Sequence, residues 1–365
     1  MPATPSGDAS FPVDRSPSAD APSADATPLR VTALAGGIGA ARFLRGLIAA
    51  GSGTGRPLEI TVIGNTGDDI TLYGLHISPD LDTVMYTLGS GIDEEQGWGR
   101  SGETWHALEE VRAYGAVESW FGLGDRDIGT HLVRTSMLAD GKTLSEITAV
   151  LCERWQPGIR LLPMTDDPVA SHVQIDADDN SDEGRRTMHF QEYWVRLHAE
   201  SPASAVLYRG IESARPAPGV IDAILDADVV LFPPSNPVVS IGTILAVAGI
   251  ADAVRTTTAP VVGISPIISG APVRGMADKL LPSVGVDTSA LGIGRHYGAR
   301  SHGGLVDGWL VDSADEAAVD ALTDAGIAAA ARPLWMTDVA ATATIAAAAL
   351  ELARTLPARA TGSVG

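Results

Sequence analysis

Carboxylates at the ends of apolar stretches are the first residues in this chain whose types and spacing suggest chemistry. Gly64-Asn65-Thr66-Gly67-Asp68-Asp69 breaks a strand-like run at 58–63, and about a dozen residues later comes Pro79-Asp80-Leu81-Asp82. Two short acidic clusters that a loop can bring together suit a Mg2+ ion, which binds one or two carboxylates plus phosphate oxygens. Asp80 and Asp82 also have a plain structural reading, as the opening residues of a helix through Met85. Asp68 and Asp69, at a strand end, have no such alternative.

A second cue is Ala35-Gly36-Gly37-Ile38-Gly39, between an apolar strand at 30–34 and a helix-spaced run at 40–50. Free backbone N–H groups at a helix start form a natural anion seat, although such a loop also serves as a tight turn. It does not match a nicotinamide fingerprint. Arg42 stands at the third glycine position of G-x-G-x-x-G, and the second strand ends at Asn65 where a ribose-binding acid belongs. Phe232-Pro233-Pro234-Ser235-Asn236-Pro237 and Ser265-Pro266-Ile267-Ile268-Ser269-Gly270 each follow another apolar strand. Three such loops on one sheet edge describe a nucleotide crevice.

Gly122-Leu123-Gly124-Asp125-Arg126-Asp127, followed by His131 and Arg134, reads as a dense polar loop, either functional or locked in structural ion pairs. Trp98, Trp105, Trp120 and Phe121 gather nearby in a chain with only 5% aromatic residues. They suit stacking on a flat ring as well as ordinary core packing. His106, inside a helical run at 104–114, carries little weight alone.

Positioning these loops requires a parallel sheet. The β–glycine loop–α–β opening and the returning α/β rhythm after residue 200 predict an α/β fold, Rossmann-like, with a mainly parallel doubly wound sheet. Residues 29–80 and 201–365 are expected to form that nucleotide-binding core. Residues 81–200 are expected to form a smaller α+β insertion contributing to the acceptor pocket, with an acidic hairpin tip at 176–182. Residues 1–28, rich in Pro, Ser, Ala and Asp, read as a disordered extension.

Composition narrows the partners. The net charge of −20 argues against nucleic acid and anionic membrane surfaces, which require clustered Lys and Arg. It leaves room for an anionic small substrate held by backbone amides, a few arginines and a divalent cation. The single cysteine, Cys152, permits no intramolecular disulfide and fits a reducing cytoplasm. The most apolar run, 340–350, is about half the length of a membrane span.

Taken together, these segments resemble the 2-phospho-L-lactate transferase family of coenzyme F-420 biosynthesis, and its actinobacterial members in particular. The glycine loop, Gly67-Asp68-Asp69, Pro79-Asp80-Leu81-Asp82-Thr83, Gly97-Trp98-Gly99 and Gly102-Glu103-Thr104-Trp105 carry the resemblance. So do the 122–127 segment, Pro233-Pro234-Ser235-Asn236-Pro237, Ser265-Pro266-Ile267-Ile268 and Arg274-Gly275-Met276-Ala277-Asp278. The resemblance implies a Rossmann-like core, Mg2+ dependence and a homodimer. It implies a guanosine diphosphate-linked lactate or enolpyruvate as donor and the deazaflavin alcohol FO as acceptor, with GMP released. Asp69 and a helical residue matching His106 would contact FO. On this reading Asp69 and Asp82 are expected to be catalytic and to hold Mg2+, with Trp105 beside FO. Gly36, Gly37, Gly39, Ser235, Asn236 and Pro237 are expected to contact the nucleotide. A non-catalytic nucleotide-binding regulatory protein of the same fold is the alternative, disfavoured because it needs no flat-ring pocket.

Overall fold

The computed structural model describes residues 27–115, 120–176 and 185–357. The proposed extension, apart from Thr27 and Pro28, and all of the acidic hairpin tip except Asp176 lie outside the described residues.

The chain opens with β1 (Leu29–Ala35), α1 (Gly37–Ala50) and β2 (Leu58–Gly64). A small hairpin, β3 (Ile70–Leu72) and β4 (Leu75–Ile77), leads into α2 (Pro79–Leu88), and α3 (His106–Ala113), α4 (Asp125–Ala139) and α5 (Leu144–Trp155) follow. After them come β5 (Arg160–Pro163), β6 (Ala170–Ile175), β7 (Arg186–His189) and β8 (Ala203–Arg209). The return to α/β alternation comprises α6 (Val220–Leu225), β9 (Val229–Phe232), α7 (Ile241–Ala246), α8 (Ile250–Thr256) and β10 (Val261–Ile264). A hairpin of β11 (Ile267–Ile268) and β12 (Ala271–Pro272) precedes α9 (Ala277–Leu280) and α10 (Ala290–Tyr297). β13 (Gly308–Asp312), α11 (Ala318–Asp324), β14 (Ala328–Arg332) and α12 (Val339–Thr355) complete the fold.

Seven strands form one parallel sheet in the order β14-β13-β10-β9-β1-β2-β5. The central strands are apolar on both faces, as parallel strands covered on each side must be. Along β1 and β2, Val31, Ala33, Ile60 and Val62 feed one core with Phe43, Leu47, Ile147 and Ile345, while Leu34 and Ile63 feed the other. Each fully buried Leu, Ile or Phe contributes about 1.5–3 kcal/mol. Gly46 lets α1 cross α12 closely, because a Cβ there would overlap the backbone and side chain of Thr342.

The strand order reverses between β1 and β9. Successive strands leave β1 toward β2 and β5 on one side, and β9, β10, β13 and β14 lie on the other. A doubly wound sheet opens its ligand crevice at such a switch point, outside the carboxyl ends of the strands.

Two strands depart from the boundaries expected from sequence. β5, within 81–200, joins the main sheet beside β2. Leu161 and Leu162 are both buried, which is the signature of a strand covered on two faces. β8, expected in the core at 201–365, instead pairs antiparallel with β6 in a separate three-stranded sheet, β7-β6-β8. Its pattern of one buried residue followed by half-exposed and exposed ones suits a sheet covered on one side.

Candidate active site

A cavity of about 690 Å³ occupies the switch point, within the usual size of a small-molecule site. Its floor is the Gly36-Gly37-Ile38-Gly39 turn after β1 and the Pro234-Ser235-Asn236 turn after β9. The two turns are stapled together: Ser235 Oγ accepts from the Gly36 N–H at 3.4 Å and donates to the Gly36 carbonyl at 3.0 Å. Gly39 lies so close to the Pro234 carbonyl oxygen that a Cβ would overlap it, and Gly37 adopts φ +71°, where glycine is favoured. Asn236 Oδ1 accepts from the Val238 and Val239 N–H groups at 2.9 and 3.2 Å, which fixes the turn into α7.

Four aspartates line the cavity, Asp68, Asp80, Asp82 and Asp127, against a single Lys or Arg, Arg274. Asp68 and Asp80 form a pair. The Asn65 amide donates to Asp68 Oδ1 at 3.2 Å and to Asp80 Oδ2 at 2.8 Å, and lies 3.1 Å from the Val239 carbonyl. Gln191 donates to the other Asp68 oxygen at 3.1 Å, and the Gly37 N–H is bonded to Asp80. Burial pushes the Asp68 carboxyl well above its usual range, with the Asp80 charge adding to it. Burial likewise raises Asp80, to about 6, assisted by Asp69 and opposed by Asn65 and Gly37. Two desolvated carboxylates facing one cavity are an arrangement that a divalent cation relieves.

Asp82 is differently engaged. It makes a two-pronged, buried ion pair with Arg134, Nη1 lying 3.1 Å from Oδ2 while Nη2 contacts Oδ1. Arg134 Nη1 also donates to His131 Nδ1 at 3.2 Å, so the imidazole carries its proton on Nε2, which faces Asp127 Oδ2 at 3.3 Å. Tyr86 donates to Asp127 Oδ1 at 2.7 Å. Asp69 sits behind the wall, outside the cavity lining. Its Oδ2 accepts from Ser78 Oγ at 2.8 Å and meets His76 Nε2 at 3.0 Å, while its buried Oδ1 has no partner. Burial raises the Asp69 carboxyl, against the opposing pull of His76.

The segment read as a polar loop at 122–127 is in part a helix start. Asp125 opens α4, and Glu103 caps it by accepting from the Arg126 and Asp127 N–H groups at 2.7 and 2.8 Å. Asp125 in turn caps α3, accepting from the His106 and Ala107 N–H groups at 3.1 and 2.9 Å. This exchange turns the His106 side chain outward, 81% exposed and 3.9 Å from Glu109. Trp98, Phe121, Phe190 and Trp194 line the cavity, with Trp194 on a π-helical segment at Glu192–Arg196.

Of the residues expected from sequence, Gly36, Gly37, Gly39, Ser235, Asn236 and Asp82 meet at the cavity, while Asp69, Trp105, His106 and Pro237 are outside its lining. Trp105 stands behind Gly122, on which Trp98 also packs. Asn65, Gln191, Tyr86 and Arg274 are additions to the site residues expected from sequence, Arg274 having entered only as part of the Arg274-Gly275-Met276-Ala277-Asp278 segment that carries the resemblance. Asn65 had one cue, its place at a strand end two residues before Gly67-Asp68-Asp69.

Fold and cavity together define a Rossmann-like α/β protein with an acidic, aromatic-walled crevice suited to a phosphorylated ligand. The family described as 2-phospho-L-lactate transferase CofD matches residues 31–343. The chain is 62% identical over 325 residues to a phosphoenolpyruvate transferase of Kitasatospora aureofaciens, covering 89% of this chain and 98% of the relative. It is 59% identical over 335 residues to one of Thermobifida fusca, covering 91% and 100%. A crystal structure of a UPF0052 family protein from Bacillus halodurans aligns with a TM-score of 0.57 at 16% identity, over 89% of this chain and 99% of that one, a likeness of fold. The chain belongs to the 2-phospho-L-lactate transferase CofD family, and it is a transferase of coenzyme F-420 biosynthesis.

Proposed function

We propose that the protein transfers a phosphoenolpyruvyl or 2-phospholactyl group from a guanosine diphosphate-linked donor to the hydroxyl of FO, releasing GMP. The hydroxyl oxygen bonds to the phosphorus nearer the three-carbon acid, the bridging oxygen leaves with GMP, and the hydroxyl proton passes to a protein base or water. Such transfers depend on in-line positioning and charge neutralisation more than on covalent help from the protein. The observation that carries this reading is the Asp68–Asp80 pair beside the stapled glycine turn, with Trp98 and Trp194 in the same cavity.

Mg2+ is the cation this site fits. Asp68 and Asp80 would hold it, and it would supply charge neutralisation at the donor's phosphates. Asp82, whose charge is matched by Arg134, acts on this reading by fixing α2 against α4. Asp69 remains the proposed proton acceptor, through water because its carboxylate lies behind the cavity wall; its unpartnered Oδ1 and raised carboxyl support that role. The nucleotide would lie along the glycine turn and the Ser235-Asn236 turn. FO would stack among the tryptophans, with Trp105 supporting Trp98 from behind and His106 at the outer rim. The family resemblance extends the proposal to a cytoplasmic homodimer. Among the described residues no helix is long and apolar enough to cross a membrane.

Incubating the protein with FO, Mg2+ and each donor, followed by mass spectrometry, tests the reading. A product heavier than FO by the phospho-acid, together with GMP, is expected. Nucleotide binding with no product from either donor favours the non-catalytic alternative.

A further inference from the structure

We infer that Arg274 reads the carboxylate of the donor's three-carbon acid and so sets the preference for an acid-bearing donor. The inference rests on the proposed donor and adds a residue to its recognition.

Arg274 is the cavity's single Lys or Arg, in a wall that carries four aspartates. It belongs to the 265–277 segment after β10 and lines the same cavity as Asp80 on α2. Among the described residues no carboxylate lies within ion-pair distance of it, although the chain has 45 acidic residues against 25 basic ones. Burial lowers its pKa, and the charge of Arg42 on α1 lowers it further. Two like charges that act on each other are stabilised by an incoming anion.

The guanidinium is also held in place. Nη2 donates to the Gln96 carbonyl, and the group packs on Gly97, where a Cβ would sit 3.1 Å from Nη1. That anchors one face of the fork to the loop carrying Trp98 and leaves further N–H donors for a planar acceptor. The same loop is tied to α1 at a second point, by Arg45 to Glu94 at 2.8 Å. The donor's diphosphate has its own partners in the glycine turn and the cation site. The carboxylate is the remaining charge, at the end of the donor nearest the acceptor's aromatic wall.

The test compares two ligands, the guanosine diphosphate lactyl ester and the guanosine diphosphate ethyl ester, which lacks only the carboxylate. Calorimetry with Mg2+ on wild type, Arg274→Met, Arg274→Lys and Glu94→Gln gives their affinities. Wild type is expected to prefer the acid by on the order of ten- to a hundredfold. Arg274→Met should abolish that preference while binding the ethyl ester as wild type does, and Arg274→Lys should keep part of it. Glu94→Gln, which loosens the same loop elsewhere, should keep it in full. Equal weakening of both ligands in Arg274→Met, loss of the preference in Glu94→Gln, or no preference in wild type would overturn the inference. Absence of transfer to FO by wild type, with the binding preference intact, would instead count against the proposed reaction.

Discussion

Within the cavity, individual carboxylates are separated by what they touch. Asp68 and Asp80 face it through a shared amide, so Asp68→Asn and Asp80→Asn are each expected to lower Mg2+-dependent turnover at least about 100-fold, more than removal of a lone hydrogen bond would. Initial rates across a Mg2+ titration check this. Asp82→Asn should act chiefly on stability, because it leaves the buried Arg134 charge without its partner. A loss of about 3–5 kcal/mol is expected, with part of it recovered in Asp82→Leu/Arg134→Met; urea denaturation of the three proteins decides. His189 offers a pH signature. Its Nδ1 accepts from the Gln191 N–H at 3.1 Å and its Nε2 donates to the Asp69 carbonyl at 3.1 Å, so both ring nitrogens hold the neutral form. Burial, with the nearby His172 adding, lowers its pKa to about 4. Below about 6.5 the unfolded chain binds a proton that the folded one refuses. His189's contribution to stability should therefore fall by up to about 3 kcal/mol as pH drops from 6.5 toward 4. The raised Asp68, Asp69 and Asp80 carboxyls act with the opposite sign over the same acid range, so the difference between the wild-type and His189→Gln profiles is the measurement that isolates it.

The elements are tuned at their contacts. Glu103 and Asp125 exchange caps between α3 and α4, so Glu103→Ala is expected to cost about 0.5–2 kcal/mol. It should also loosen the start of α4, visible as faster amide exchange at Arg126 and Asp127. The glycine turn tolerates less. Gly39→Ala places a methyl on the Pro234 carbonyl and should push the β1 and β9 turns apart. Nucleotide affinity is expected to fall more than global stability, and calorimetry with GDP set against thermal unfolding separates the two. Much of this level was legible beforehand. The strands at 30–34, 58–63 and 261–264 follow from short, mostly apolar runs, the first alternating, ended by Gly, Asn or Ser. α4 was not, because its buried face is Thr130, His131 and Arg134, which gives no apolar period to read. α8 and α10 were also missed, being short helices of seven and eight residues, the second containing two glycines and flanked by polar, Gly-containing segments.

The whole molecule couples its two ends through the crevice. The sheet supplies the glycine and Ser235 turns, while the 93–100 loop and the π-helical segment supply the aromatic wall. GDP and Mg2+ should accordingly act together. GDP with Mg2+ is expected to raise the unfolding temperature more than the sum of the separate additions, and equal, additive shifts in a thermal scan would count against a shared site. The net charge of −20 and the four aspartates lining the cavity would repel an anionic donor, a repulsion that the proposed cation would offset.

The sequence by itself determined the sheet class, the glycine and proline turns at strand ends, and the family. Those depend on local periodicity and on short motifs whose residues are neighbours in the chain. Only the tertiary structure decided which carboxylates share a cavity. Asp68 and Asp69 are adjacent in sequence, yet one faces the crevice and the other is turned onto His76 and Ser78. Asp80 and Asp82 are two residues apart on α2, and their partners, Asn65 and Arg134, come from a strand end and a helix distant in the chain. Side-chain direction and the partner that meets it are set by packing between remote elements, and no local pattern encodes that.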